Sequence, residues 1–239
     1  MSKNSNPDSP KAFPNAFDDR SVRGRRRIAQ FVAILMALSA VGGGLYLMLG
    51  DGDEEPKQPV KQSVESGIEA VDMALSVRWA SCNVGACSPT QIGDFYAWGE
   101  CEVSASYGWK ESKSYDRPYA ATLQIEDDVA ARKLGDGWRM PTREEFAELI
   151  ERCEWRETSR DGCFGFEVVA SNGNMIFLPA AGYCYDTTHY HNGLEALYWS
   201  ASSVEGDNKQ AIALRANNHE LLLEGIYRYY GASVRPVQE

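Results

Sequence analysis

The strongest feature of the hydropathy pattern is an uncharged run over residues 28–50, IAQFVAILMALSAVGGGLYLMLG. Only Gln30 and Ser39 within it are clearly polar. A helix needs about 20 mostly apolar residues to cross the hydrocarbon core of a bilayer, so the run predicts one transmembrane helix. A cleaved signal peptide, with Leu38-Ser39-Ala40 as a weak cleavage sequence, is the alternative. Signal peptides have shorter apolar regions, and residues 45–49 continue this one, which favours an uncleaved anchor.

Two later segments have the pattern of helices. Thr142, with Glu145 three residues on, forms a capping box that predicts the start of a helix. Four apolar side chains then follow at i, i+3, i+4 and i+7 and predict one buried face, namely Phe146, Leu149, Ile150 and Cys153. A shorter helix is predicted over residues 127–134, and it stops at Gly135.

The rest of the domain reads as short strands and long loops. Leu75, Val77 and Trp79 alternate with polar or small residues. An Asn-Gly pair between residues 165–170 and 175–179 predicts a tight hairpin turn. Further strands are predicted at residues 197–200, 211–214 and 232–237. Two stretches rich in Tyr have no clear period and are expected to be long, functional loops, namely residues 99–123 and 182–196.

Charge divides the chain into four parts. Residues 1–27 hold seven Lys or Arg and three Asp, a net charge of +4, and are predicted to be a disordered, basic tail. Residues 51–66 hold two Pro and many charges and predict a spacer, and residues 67–239 are long enough for one globular domain. Basic residues before the apolar run and acidic residues after it place the N-terminus in the cytoplasm. The domain is therefore expected to be periplasmic or on the cell surface.

The part of the chain after the apolar run is strongly acidic. Residues 51–239 hold 17 basic and 31 acidic residues, a net charge of −14. Such a charge repels phosphate backbones, so no nucleic-acid partner is expected. Contact with the membrane is expected through residues 28–50 alone.

Four stretches, in chain order, carry a resemblance to a known family: VDMALSVRWASCNVGA at 71–86, GWRMPT at 137–142, FLPAAGY at 177–183, and YWSAS at 198–202 with a closing YGASVRPV at 230–237. The pattern resembles the bacterial major paralogous domain of the FISUMP type, found on surface and secreted proteins of gram-negative gut bacteria. That family looks related to the C-type lectin fold of formylglycine-generating enzymes and of the variable proteins of diversity-generating retroelements.

The resemblance spans residues 68–237 and implies an α+β fold. A C-type lectin-like domain with short antiparallel sheets, about two helices and long loops is expected after the transmembrane helix. Because the family is mostly uncharacterised, the resemblance favours an extracytoplasmic binding module over any particular reaction.

All six cysteines follow the predicted membrane segment. In an oxidising compartment an even number of cysteines favours disulfides, although six allow fifteen pairings. Cys82 and Cys153 are both expected to face one core and form the first candidate pair. The remaining four give Cys87 with Cys101, and Cys163 with Cys184. Buried free thiols are the alternative for each of them.

The sequence gives little support for catalysis or metal binding. It contains no G-x-S-x-G, H-E-x-x-H or phosphate-binding loop, and formylglycine-generating enzymes need a reactive cysteine pair near the end of the domain, where this chain has none. The expectation is therefore no enzyme and no cofactor. Two weak alternatives stay open: zinc at Cys184, Asp186, His189 and His191, and calcium at Glu205, Asp207 and Asn208.

Residues near the C-terminus suggest a binding surface. Tyr, Arg, Asn and His combine rigid contact area with hydrogen bonds. In the retroelement variable proteins the residues before the closing strand contact ligand, and a similar GASVR closes this chain at residues 231–235. We predict a ligand-binding surface with residues 220–226 turning back inside it, formed by Asn217, Asn218, His219, Tyr227, Arg228, Tyr229 and Tyr230. The alternative is that these tyrosines pack along a short hairpin.

These features favour a membrane-anchored domain that recognises a protein or glycan ligand and does no catalysis. A structural subunit of a surface or fimbria-like assembly is the second hypothesis. An enzyme related to formylglycine-generating enzymes ranks third.

Overall fold

The computed structural model of the protein describes residues 67–115, 117–118, 120–135 and 137–239. The predicted basic tail, transmembrane helix and spacer lie outside these residues. Among the helices of the described part, none has the length and apolar character needed to span a membrane.

The described residues form two helices and twelve short strands. In chain order these are β1 Ala70–Val71, β2 Arg78–Ala80, α1 Val129–Leu134, β3 Trp138–Arg139, α2 Arg143–Arg152, β4 Glu154–Arg160, β5 Cys163–Val169, β6 Met175–Pro179, β7 Tyr183–Tyr185, β8 Thr188–Tyr190, β9 Ala196–Val204, β10 Asp207–Ala216, β11 Leu221–Tyr227 and β12 Val237–Gln238. They pair antiparallel in four sheets, ordered β1-β2-β12-β3, β11-β10-β9, β4-β5-β6 and β7-β8. The expected α+β class, with short antiparallel sheets and two helices, is confirmed.

Both helices begin where local capping chemistry predicts. Thr142 Oγ1 accepts a hydrogen bond from the Glu145 amide at 3.2 Å, and Glu145 accepts one from the Thr142 amide at 2.7 Å, so the capping box of α2 is formed. Asp128 caps α1 by accepting hydrogen bonds from two amides of its first turn. Gly135, with φ of 64°, ends α1 in a backbone conformation that favours glycine.

The predicted hairpin at the Asn-Gly pair is also formed. Strands β5 and β6 pair from Val169 with Met175 to Gly165 with Pro179, and Gly173 in the turn has φ of 84°. Six strands were missed, namely β1, β3, β4, β7, β8 and β11. Of these, β4 is highly charged, β7 and β8 fall in a predicted loop, and β11 was expected to turn back on itself. Of predicted strand 232–237, only Val237 lies in a strand of the structure.

Two hydrophobic cores lie on opposite faces of the β9–β10 sheet. Trp199 belongs to the first core and its neighbour Tyr198 to the second, because successive side chains of a strand point to opposite faces. Three tryptophans lie among apolar residues in the sequence, a context that predicts burial, and all three are buried: Trp79, Trp138 and Trp199.

A buried arginine fastens the closing segment to the rest of the domain. Arg235 is fully buried and donates hydrogen bonds to Asn83 Oδ1 at 2.9 Å and to the carbonyls of Ala80 and Phe177, both at 2.8 Å. Burial lowers the pKa of its guanidinium, but these three acceptors stabilise the charged form. Arg235 thereby ties residues next to β12 to both β2 and β6.

Candidate ligand-binding surface

The predicted binding surface is not one surface in the structure. Asn217, Asn218 and His219 lie in the turn between β10 and β11, whereas Tyr227 ends β11. The seven residues of β11 are extended and paired with β10 along their whole length, so they separate the two groups by about 20 Å. The prediction that residues 220–226 turn back to join them is therefore wrong.

The three residues after Tyr227 are core residues. Arg228, Tyr229 and Tyr230 are 1%, 1% and 4% exposed. The Arg228 guanidinium lies 4.3 Å from the centre of the Trp98 ring and donates hydrogen bonds to the carbonyls of Gln210 and Arg117. These three side chains therefore pack against other parts of the domain. Among residues 227–230, only Tyr227 is half-buried.

The structure instead joins seven of the described tyrosines into one cluster. Its members, which we call the tyrosine cluster, are Tyr115, Tyr183, Tyr185, Tyr190, Tyr227, Tyr229 and Tyr230. Their ring centres are linked in a chain with separations of 5.1 to 6.1 Å. The rings of Tyr183 and Tyr190 are stacked at 5.5 Å, and those of Tyr227 and Tyr229 at 5.4 Å.

The β7–β8 hairpin contributes three of the seven tyrosines, of which Tyr183 is buried and Tyr185 and Tyr190 face solvent in part. Tyr183 pairs directly with Tyr190 across the hairpin, and Tyr185 lies on the same face because side chains alternate along a strand. That face packs against Tyr229 and Tyr230. The hairpin therefore uses its buried side to hold the exposed ring of Tyr190 in a fixed position.

The cluster offers both ring area and hydroxyl groups to solvent. Tyr190 is 37% exposed, and Tyr185 and Tyr227 are half-buried. Tyr229 and Tyr230 make no hydrogen bond through their hydroxyl groups to any described residue, yet neither oxygen is among the buried polar atoms that lack a partner. With 1% and 4% of their area exposed, both residues belong to the core, and the part of the cluster that faces solvent is formed by Tyr185, Tyr190 and Tyr227.

Burial makes these phenols harder to ionise. It raises the pKa of Tyr183, Tyr229 and Tyr230 above the ordinary value for tyrosine, with smaller contributions from neighbouring tyrosines. A neutral phenol both donates and accepts hydrogen bonds, so the cluster can contact amides or hydroxyls of a ligand.

A buried ion-pair network connects the end of the β7–β8 hairpin to the β9–β10–β11 sheet. Arg215 on β10 donates a hydrogen bond to Glu195 Oε2 at 2.7 Å and another to Glu224 on β11. His191 Nδ1 lies 3.6 Å from the same Glu195 oxygen, and its ring meets that of Tyr183 edge to face at 5.4 Å. The residue after the hairpin is thereby connected both to the tyrosine cluster and to the β9–β10–β11 sheet.

The six cysteines are free thiols in the structure, so none of the three suggested disulfide pairs is formed. Cys82 is buried, Cys87 is exposed and the other four lie between these extremes. Cys153 packs against the second core and Cys101 against the first, so each of these thiols contributes to an apolar cluster. The open alternative, a buried free thiol, agrees with the structure for Cys82 alone, because four of the other thiols are only partly buried and Cys87 is exposed.

A cysteine–histidine pair does exist, but its chemistry is unsuited to nucleophilic attack. Cys184 lies directly opposite His189 in the β7–β8 hairpin. Burial raises the pKa of the Cys184 thiol to about 11, whereas a nucleophilic cysteine needs a lowered pKa. His189 Nε2 is also engaged with the Ala181 carbonyl oxygen at 2.5 Å.

Neither suggested metal site has the required set of ligands. Within the part of the chain that the structure describes, no three His, Cys, Asp or Glu side chains group as a metal site would need. Asp207 accepts hydrogen bonds from the Lys209 amide and the Gln210 side chain, and Asp186 accepts one from Ser106. These carboxylates stabilise local turns and contacts.

Sequence reasoning missed the residues on which the surface depends. Tyr183, Tyr185 and Tyr190 fall in the loop that was expected to be functional, but none was singled out within it. The spacing Tyr-x-Tyr, followed five residues later by a third Tyr, is the available signal, because residues i and i+2 share one face of a strand.

No protein-family model matches the chain, and neither do any curated protein or solved structure. What the surface can bind is therefore inferred from the chemistry of its own residues.

Proposed function

We propose that the chain is a membrane-anchored recognition protein whose C-terminal domain, outside the cytoplasm, binds a protein or glycan without catalysis. The tyrosine cluster is the observation that carries this proposal. Tyrosine supplies large contact area together with a polar hydroxyl, at a low cost in conformational entropy, and is enriched in binding surfaces for this reason.

The cluster is well suited to binding because it is already organised. Tyr190 is stacked on a buried ring, and Tyr227 is stacked on another. Ordering rotamer-rich side chains on binding costs about 0.5–1.5 kcal/mol for each, and rings held in place beforehand avoid part of that cost. A ligand that covers Tyr185, Tyr190 and Tyr227 would meet a nearly rigid surface.

We also propose the finer fold assignment, a C-type lectin-like domain of the FISUMP type. It is supported by the order of the four sequence stretches and by the short antiparallel sheets, two helices and long loops of the domain. The other three sheets can serve as a scaffold. The long loop between β2 and α1 and the β7–β8 hairpin can then carry the contacts with a ligand. Such a division between scaffold and loops suits recognition.

The direct test is an array of glycans and proteins probed with the full-length chain in mild detergent. A ligand found this way should bind the Tyr190→Ala, Tyr227→Ala double variant more weakly by more than about 2 kcal/mol, because hot-spot residues have losses of that size. Met175→Ala is the control, since Met175 is 41% exposed, begins β6 and is not a member of the tyrosine cluster.

Thermal melting of the same samples separates binding from folding. Equal melting temperatures with lost affinity support the tyrosine cluster as the site. Unchanged affinity in a folded double variant would place the site elsewhere, and a stoichiometric self-assembly without any ligand would favour the structural-subunit hypothesis instead.

A further inference from the structure

Exposed apolar side chains lie beside the tyrosine cluster. Leu194 is 72% exposed, Phe164 57% and Tyr190 37%. Single exposed apolar residues are ordinary on a protein surface, but a contiguous group marks an interaction site.

Backbone hydrogen bonds bring the segments that carry these residues next to one another. The Ala180 amide donates to the Phe164 carbonyl at 2.8 Å, and the Gly193 amide donates to the Ala180 carbonyl at 2.7 Å. Phe164 lies so close that a Cβ atom on Gly193 would be 3.9 Å from its ring. The stretch that carries Tyr190 and Leu194 is thus fixed against the strand end that carries Phe164. We call Phe164, Tyr190 and Leu194 the apolar patch.

Carboxylates without cationic partners border this patch. Glu157 on β4 pairs with Phe166 and therefore lies on the same face of the sheet as Phe164. Glu157 and Asp161 are exposed, and neither forms an ion pair with any described residue. The two arginines of β4 point to the opposite face, where Arg156 pairs with Glu154 and Arg160 with Glu167. The sheet thus shows paired charges on one face and unpaired negative charge beside the patch.

The charge of the chain selects among the possible occupants. The domain of a second copy would oppose the net charge of −14 on residues 51–239 with another −14, and an anionic lipid surface would be repelled in the same way. Neutral glycans leave Glu157 and Asp161 without a counter-charge. A protein segment that carries Lys or Arg around a large apolar side chain complements both the patch and its border.

We infer that the ligand of this domain is a protein with a basic contact segment, which places an apolar side chain on Phe164, Tyr190 and Leu194 and its cations beside Glu157 and Asp161. This inference rests on the proposed recognition function and narrows it from a protein or glycan to one class of partner.

The test is selection from a displayed library of random linear peptides on the immobilised full-length chain in mild detergent. Enriched peptides are expected to combine Lys or Arg with a large apolar residue. Each should lose at least about tenfold in affinity against Leu194→Ser and against Glu157→Lys. Two controls should bind within about twofold of the original chain: Ile125→Ser, which is matched in exposure at 72%, and Glu151→Lys, which makes the same charge change on α2.

Several outcomes would overturn the inference, and they differ in what they imply for the proposed recognition function. Enriched peptides that are acidic, or that bind Leu194→Ser and Glu157→Lys as tightly as the original chain, overturn it. If those peptides still need Tyr190 and Tyr227, the recognition function stands with a different partner. If no peptide is enriched but a glycan binds in a tyrosine-dependent manner, the partner is a glycan. Peptides that depend on neither the patch nor the tyrosine cluster overturn both proposals.

Discussion

Two tyrosines of one cluster illustrate how position decides the role of a side chain. Tyr229 is 1% exposed and contacts four other tyrosine rings, whereas Tyr190 is 37% exposed and stacks on one. The first belongs to the core, and the second rests on the core with one side open. Their replacement should therefore have different consequences for stability.

We expect Tyr229→Ala to lower the free energy of unfolding by about 3–5 kcal/mol, because it removes a buried aromatic ring and leaves a cavity. Tyr190→Ala should cost less than about 1.5 kcal/mol, because much of its ring already faces water. Urea denaturation monitored by circular dichroism measures both, with Tyr190→Phe as a control that retains the stacked ring. Equal losses for the two alanine variants would contradict the assignment.

The raised pKa of Cys184 predicts slow chemical labelling. Thiolate is the reactive form, and a pKa of about 11 leaves about one molecule in a thousand ionised at pH 8. In the folded, reduced chain we expect exposed Cys87 to be alkylated well before Cys184, and the Cys184 rate to rise as the pH approaches 11. Mass spectrometry of the labelled peptides gives both rates, and unfolding in urea should remove the difference.

At the scale of elements, the two helices depend on different kinds of cap. The Thr142 side chain accepts from one amide, that of Glu145 in its own helix, and the Thr142 amide donates to the Glu145 carboxylate in return. Asp128 accepts from two amides of α1 through Oδ1 and from the Met140 amide through Oδ2 at 2.8 Å, so it also joins α1 to the segment that leads into α2. Burial raises the pKa of Asp128, and the three hydrogen bonds offset only part of that effect by stabilising the charged carboxylate.

We expect Asp128→Ala to lower the free energy of unfolding by about 2–3 kcal/mol, since it removes a cap and leaves a buried amide unsatisfied. Thr142→Ala should cost about 1 kcal/mol, the usual loss for a cap. Asp128→Asn, which retains one oxygen, should fall between them. Urea midpoints rank the three variants, and an Asp128→Ala loss no larger than that of Thr142→Ala would show that the link to Met140 contributes nothing.

At the scale of the whole molecule, the two cores share the β9–β10 sheet as a common wall. Because neither core keeps its packing without that sheet, we expect the domain to unfold in one cooperative transition. Trp199 reports on the first core and Trp79 on the second. For each of the variants Trp79→Phe and Trp199→Phe, the unfolding midpoint measured by fluorescence should coincide with the midpoint measured by circular dichroism. Separate midpoints would mean that the cores unfold independently.

The proposed topology gives a second prediction at this scale. If residues 28–50 form an uncleaved anchor with the N-terminus in the cytoplasm, protease added to spheroplasts should remove the domain, and the untreated, full-length chain should stay in the membrane fraction. A cytoplasmic protein of the same cells is the control for intact spheroplasts. Protection of the domain, or a mature form that begins after the apolar run, would contradict this topology.

Much of the fold follows from short stretches of sequence. The capping box at Thr142, the glycine that ends α1 and the Asn-Gly hairpin between β5 and β6 were all predictable, because each depends on hydrogen bonds and backbone angles within about five residues. The apolar contexts of the tryptophans likewise indicated burial. These features are determined by interactions between residues close in sequence, and the tertiary structure is compatible with each of them.

The candidate site was decided by the tertiary structure. The tyrosine cluster joins three distant parts of the chain, Tyr115, the β7–β8 hairpin and residues 227–230, and no local pattern states which of them meet. Strand β11 stays extended because pairing with β10 satisfies its backbone, and this sends the two predicted binding segments to opposite ends of a hairpin. Amino-acid type indicated which side chains could bind a ligand, but strand pairing over long sequence distances determined which of them lie in the core and which face water.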